Sequence, residues 1–291
     1  MRGAAPLLLV LAAATGAAAA EPPVLSAADA LALPQPAADR RVPYGGNPLQ
    51  FGELRRPAGA GPHPVAIVIH GGCWLAAYDL GYMAGLASAL AATGVATWSI
   101  EYRRIGDDGG GFPGSFEDVA AAADHLRALA GGEAFDLDRV VAVGHSAGGH
   151  LALWLAARHR LAADDPLRGP SPLPLAGVVA LAGIPDLAGF ASPEGCGAAV
   201  AGLLGGDPGK LAGRLRRASP IELAPLGVRQ ILITGGRDAI VPPDQAERHA
   251  GRAGAEVEVR EVEPAGHFEL VVPGSVAWPT VRDAVLELIA E

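Results

Sequence analysis

Val140-Val141-Ala142-Val143-Gly144-His145-Ser146-Ala147-Gly148-Gly149-His150-Leu151 is the stretch on which the fold turns. Four small or β-branched apolar residues make a run short enough for a strand buried on both faces. A Gly-x-Ser-x-Gly turn follows, from Gly144 to Gly148, and an apolar helical pattern begins at once behind it. Strand, tight turn, helix is the setting in which a serine hydroxyl is raised above a sheet as a nucleophile. Gly144 and Gly148 leave room where the backbone approaches itself closely. The helix behind the turn aims the positive end of its dipole at the reaction centre.

Working outward, the same grammar repeats. Val65 to Ile69, Val95 to Ile100, Gly177 to Leu181, Gln230 to Thr234 and Val257 to Val262 are strand runs. Helical patterns lie between them at about 79–93, 116–130, 147–160, 243–253 and 275–290. Ser115 is the expected N-cap of the second, with Asp118 three residues on as a weak capping box. Val42 to Tyr44 and Leu49 to Arg55 suggest an antiparallel edge before the parallel part. The alternation predicts an α/β chain: a mostly parallel, doubly wound sheet with helices on both faces. Residues 186–226 break the rhythm with prolines and glycines, and are expected to form a small lid insertion. Residues 21–39, rich in Pro and Ala, read as an extended lead-in to one domain spanning 40–291.

A serine nucleophile needs a base, and the base an orienter. On this fold the chain order is serine, acid, histidine. Asp238 lies just past the strand 230–234, and His267 in the loop after Val257 to Val262, so both fall at the carboxyl edge of the sheet where ligands bind. Glu269 is the rival orienter. His145 and His150 flank the serine as packed, structural residues, and His159 and His249 read as solvated helix positions. The oxyanion must also be held. His70-Gly71-Gly72-Cys73-Trp74 follows the strand 65–69 and is the loop type whose backbone N–H groups face a developing oxyanion. Ala147, next after the serine, supplies the second donor. His70 is expected to brace that loop. Trp74, Tyr78 and Phe268 are candidate pocket linings.

His70 to Trp74, Gly144 to His150, Asp238 and His267 together resemble the α/β-hydrolase superfamily. The likeness is greatest to the esterase branch that includes kynurenine formamidases and feruloyl/acetyl-xylan esterase-like proteins. Glu101-Tyr102-Arg103-Arg104, Gly109 to Gly111 and Phe116 to Val119 share in it, over roughly residues 40 to 290. The resemblance implies a triad of Ser146, Asp238 and His267, and backbone donors at Gly72, Cys73 and Ala147. Cys73 stands where hormone-sensitive-lipase-like esterases carry glycine. A carboxylesterase acting on small or medium acyl esters is the first expectation. A kynurenine formamidase-like amidase and a non-catalytic binding module on the same scaffold are the alternatives. No metal or organic cofactor is expected, since no histidine–carboxylate cluster has ligand spacing.

Arg2 and the apolar run Ala4 to Ala14, closed by Ala18-Ala19-Ala20, have the form of a secretory signal peptide over residues 1–20. Cleavage is expected at the Ala20-Glu21 bond, leaving a secreted or periplasmic protein. The net charge of −9 disfavours nucleic acid and anionic membranes as partners, leaving a small acyl substrate. Oligomeric state is not legible. Outside the cytoplasm the two cysteines, Cys73 and Cys196, can pair. A disulfide from the oxyanion loop to the lid is the expectation, with two buried thiols as the alternative.

Overall fold

The computed structural model describes residues 23–290, so the expected signal segment and its cleavage bond lie outside the described residues. Eight strands form one sheet: β1 (Arg40–Pro43), β2 (Phe51–Arg55), β3 (His63–Ile69), β4 (Ala96–Ile100), β5 (Phe135–His145), β6 (Gly177–Leu181), β7 (Arg229–Gly235) and β8 (Val257–Val262). Their order across the sheet is β1-β2-β4-β3-β5-β6-β7-β8. β1, β2 and β4 pair antiparallel, and every pairing from β4–β3 through to β7–β8 is parallel. Residues 42–55 therefore do supply the antiparallel edge, and the central strands are buried on both faces, which is why they read as unbroken apolar runs.

The α-helices in chain order are α1 (Ala27–Leu31), α2 (Ala84–Ala92), α3 (Gly114–Asp124), α4 (Leu126–Leu129), α5 (Ala147–Ala157), α6 (Leu187–Phe190), α7 (Ala199–Leu204), α8 (Ala212–Ala218), α9 (Pro220–Leu223), α10 (Asp244–Ala253) and α11 (Trp278–Ala290). α5 is buried along its whole length. It packs on β5 and β6 from one side and meets α3 and α9 on the other. A helix enclosed all round needs no polar face, and Ala147 to Ala157 has none apart from the satisfied His150. The insertion between β6 and β7 is the lid region, built from α6 to α9, and Trp154 of α5 donates its indole N–H to the Arg217 carbonyl within it.

Three local readings differ from the structure. The lead-in 21–39 is not extended throughout: α1 forms because Ser26 and Asp29 make a complete capping box. Ser115 does not cap α3, whose N-cap is Pro113. Its hydroxyl instead accepts from Gly111 N–H and donates to the Arg103 carbonyl. Asp118 is buried and takes a two-pronged bond from Arg103 at 2.7 and 2.8 Å, so its charge serves an ion pair rather than a cap. His249 is not solvated: it is wholly buried on α10 and bonds Gln230 at 2.7 Å.

Candidate active site

β5 ends at His145 and α5 starts at Ala147, leaving Ser146 alone in the joint with φ 56° and ψ −122°. A non-glycine residue in that region is strained, and such strain persists only where surroundings over-determine it. Here Ser146 N–H donates to the Leu181 carbonyl at 2.8 Å, and the Ser146 carbonyl receives His150 N–H at 3.1 Å. The turn is also close-packed. A Cβ on Gly71 would lie 2.5 Å from the His145 carbonyl and 2.9 Å from Ser146 Cβ, so the neighbouring loop approaches only because residue 71 is glycine.

Asp238 follows β7 and His267 follows β8. His267 Nδ1–H donates to Asp238 Oδ2 at 2.6 Å, and the Asp238 side chain is 1% exposed. The other Asp238 oxygen accepts the N–H groups of Ile240 and Val241 at 2.7 and 2.9 Å. The carboxylate is thus held by both ends, and the imidazole is fixed with Nδ1 committed to it. Glu269, the rival orienter, is engaged elsewhere: its carboxylate takes Gly266 N–H at 3.0 Å and Leu25 N–H. Ser146 and His267 line one cavity of about 100 Å³ together with Gly72, Cys73, Tyr78 and Phe268. Trp74 stands behind it, fully buried.

The loop after β3 is held in an unusual shape. Gly72, Cys73 and Trp74 have φ of 94°, 52° and 58° in succession. Several ties fix it. Cys73 is joined to Cys196 of the lid in a disulfide with Cα atoms 5.2 Å apart. Trp74 Nε1–H donates to His150 Nδ1 at 3.1 Å, and His150 Nε2–H donates to the Ala218 carbonyl at 2.8 Å. At the loop's start His70 Nε2 meets Glu101 Oε1 at 3.0 Å, and its ring stacks on Tyr102. Burial pushes the Glu101 carboxyl up, but His70 and Arg104 outweigh it and hold it below the usual range. Among the described residues, no backbone hydrogen bond takes up the N–H groups of Gly72, Cys73 or Ala147, while those of Gly71 and Ser146 beside them are both engaged.

One connection was not legible in the sequence. Tyr82 is buried, which pushes its phenol well above the ordinary value and keeps the hydroxyl protonated. That oxygen accepts Gly71 N–H at 2.7 Å and donates to His145 Nδ1 at 2.9 Å. His145 Nε2–H then donates to the His267 carbonyl at 3.0 Å. Burial, with His267 adding to it, holds the His145 pKa well below the ordinary value, so the ring is neutral and can accept on one side and donate on the other. The residue between Gly144 and Ser146 thereby ties the loop after β3 to the loop carrying His267. Sequence reasoning also missed Ala27, Ala30, Leu31 and Ile240 as linings of the cavity.

Chemically, the arrangement sets a hydroxyl and an imidazole on one apolar space, with Gly72 and Cys73 on its wall and the N–H of Ala147 next in the chain to Ser146. Among the described residues no group of three or more His, Cys, Asp or Glu side chains is placed to hold a metal ion. Esterase LipC of Mycobacterium tuberculosis is 29% identical over 268 residues, covering 86% of this chain. The chain spans 64% of the length of that relative. Among solved structures, a truncated carbohydrate esterase from gut microbiota superposes with a TM-score of 0.75 at 21% identity, covering 86% of this chain and 95% of that one. Esterase B from Lactobacillus rhamnosis gives a TM-score of 0.69 at 23% identity, covering 86% and 82% respectively. Residues 54–251, which run from β2 to α10 and include Ser146 and Asp238, match the family model BD-FAE. By that match and by its sheet order, the chain belongs to the BD-FAE family and has the α/β-hydrolase fold.

Proposed function

We propose that this protein is a serine carboxylesterase that cleaves small or medium acyl esters through a covalent acyl-enzyme. The observation that carries the reading is the 2.6 Å bond from His267 Nδ1–H to Asp238, at the wall of the cavity that Ser146 also lines. With Nδ1 committed, Nε2 is the base. It takes the Ser146 proton as Oγ attacks the ester carbonyl, and Asp238 stabilises the imidazolium that results. The N–H groups of Cys73 and Ala147, with Gly72 beside them, meet the oxyanion, and fixed donors of this kind contribute without reorganising at the moment of reaction. His267 then returns the proton to the leaving alcohol. Water attacks the acyl-enzyme by the same route in reverse. The relative named above as an esterase and the family match support this reading. The Cys73–Cys196 disulfide supports the further proposal that the mature chain works outside the cytoplasm.

Ser146→Ala is expected to abolish labelling by a fluorophosphonate probe and to lower ester turnover about 10⁴-fold or more, with the thermal midpoint little changed. The substrate panel should set aryl acetates and butyrates beside N-formylkynurenine and aryl amides. Turnover of amides in preference to esters would replace the esterase reading with the amidase one. Ester turnover at the wild-type rate in Ser146→Ala would remove the nucleophile assignment.

A further inference from the structure

The residues ahead of β1 form a strap across the candidate active site, tethered on both sides of it. At the start, Leu25 N–H donates to Glu269, whose other carboxylate oxygen holds Gly266 N–H. Val24 packs so closely on Gly266 that a Cβ there would meet it at 2.8 Å. At the far side, the Pro36 carbonyl accepts from Arg55 at 2.7 Å, and Asp39 N–H joins the Leu54 carbonyl of β2 at 2.9 Å. Between these tethers lies α1, and Ala27, Ala30 and Leu31 form the side of the cavity facing Ser146 and His267. A helix of five residues has no stability of its own in water. Its place comes from the capping box, the tethers and the apolar contact.

The strap accounts for the size of the space. At about 100 Å³ the cavity is well below the ~300–1,000 Å³ of ordinary ligand pockets. A larger recess of about 620 Å³ lies on the other side of Cys73 and Ile240, which line both. Its walls carry Ser192, Glu194, Asp244, Gln245 and Arg248. The small space is apolar and roofed, while the large one is wider and carries both apolar and charged groups on its walls. The small space suits a short covalent acyl group, and the wider one leaves room for the alcohol portion of the ester. We infer that α1 roofs the acyl side of the site, and that Leu31, with Ala27 and Ala30, limits the acyl group to short chains of about two to four carbons. The estimate follows from a volume equal to about three water-sized groups. This rests on the serine-esterase reading.

The test is a series of p-nitrophenyl acetate, butyrate, hexanoate and octanoate on the full chain, with kcat/KM for each. Wild type should lose at least about tenfold between butyrate and octanoate, since one methylene in a closed apolar pocket is worth roughly that much. Leu31 is 44% exposed, so its substitution leaves the core untouched. Leu31→Ala should raise the hexanoate-to-acetate ratio about tenfold, and Leu31→Trp should lower the butyrate-to-acetate ratio by a similar factor. Ratios within twofold of wild type in both variants, or an octanoate rate equal to acetate in wild type, overturn the role of α1 while leaving the esterase intact. A wild-type protein that turns over none of the four esters, and whose Ser146 takes no fluorophosphonate, overturns the esterase reading and the roof with it. If neither variant folds, an octanoate rate equal to acetate in wild type still overturns the roof.

Discussion

Ser146 and its immediate neighbours show how little freedom single residues have at this site. Gly71 faces the His145 carbonyl and Ser146 Cβ so closely that Gly71→Ala must displace either the loop after β3 or the serine turn. Ester turnover should fall at least about 100-fold, the scale of losing one oxyanion donor, and the drop should appear in kcat. Tyr82 makes a different point. Its hydroxyl serves two buried groups, Gly71 N–H and His145 Nδ1, and Tyr82→Phe leaves both without a partner. Each unsatisfied group costs about 1–3 kcal/mol, so the denaturation midpoint should drop clearly although only one oxygen is lost. An unchanged midpoint would mean the hydroxyl is dispensable to the fold. At this scale the Gly144 to Gly148 pattern was readable because its chemistry is local. The service His145 performs was not, since Tyr82 and His267 reach it from 63 and 122 residues away.

At the scale of elements, the loop after β3 and the lid depend on each other. Three consecutive residues with positive φ, two of them not glycine, form a loop that needs outside support. The disulfide to Cys196 and the chain Trp74–His150–Ala218 both run into the lid region. Reducing the bond frees a segment of 123 residues, and chain entropy alone makes that worth roughly 4–5 kcal/mol. We expect the urea midpoint to fall on addition of reductant and to fall equally in Cys73→Ser/Cys196→Ser without it. If reductant leaves the midpoint unmoved, the bridge does not stabilise the solution protein. The antiparallel edge, the parallel strands and the five longer helical patterns were legible because apolar run length, alternation and turn residues mark each of them locally. α1 was hidden by its length, and only the surface it covers gives it a place.

Across the whole molecule, buried histidines set the acid limit. His150 and His249 are enclosed by protein, and burial lowers both from an ordinary 6.5 to about 4. In the unfolded chain they take up protons below about 6.5, whereas in the folded protein they do so only near 4. Between those values the unfolded state binds more protons, so stability rises with pH through that window and is fully present above it. Each is worth up to roughly 3 kcal/mol across the window, and buried His145 acts in the same direction. The thermal midpoint should therefore decline steadily from about pH 6.5 to 4. A midpoint flat over that range, with loss only below pH 4 where carboxylates titrate, would contradict it.

The sequence by itself determined the architecture and named the candidates for the site. Strand and helix periods, a serine in a glycine-flanked turn, and an acid and a histidine placed just after strands are all local signals, set by backbone sterics and by which faces must be buried. Tertiary structure decided everything that depends on distance through space. It gave Asp238 rather than Glu269 to His267, because the fold turns the Glu269 carboxylate toward Gly266 and Leu25 and sets Asp238 Oδ2 against the imidazole. It buried His249 and engaged Asp118 in an ion pair. It also laid α1 against the cavity, through Ala27, Ala30 and Leu31, because a short apolar segment with no core of its own gains most where an apolar opening is left to cover.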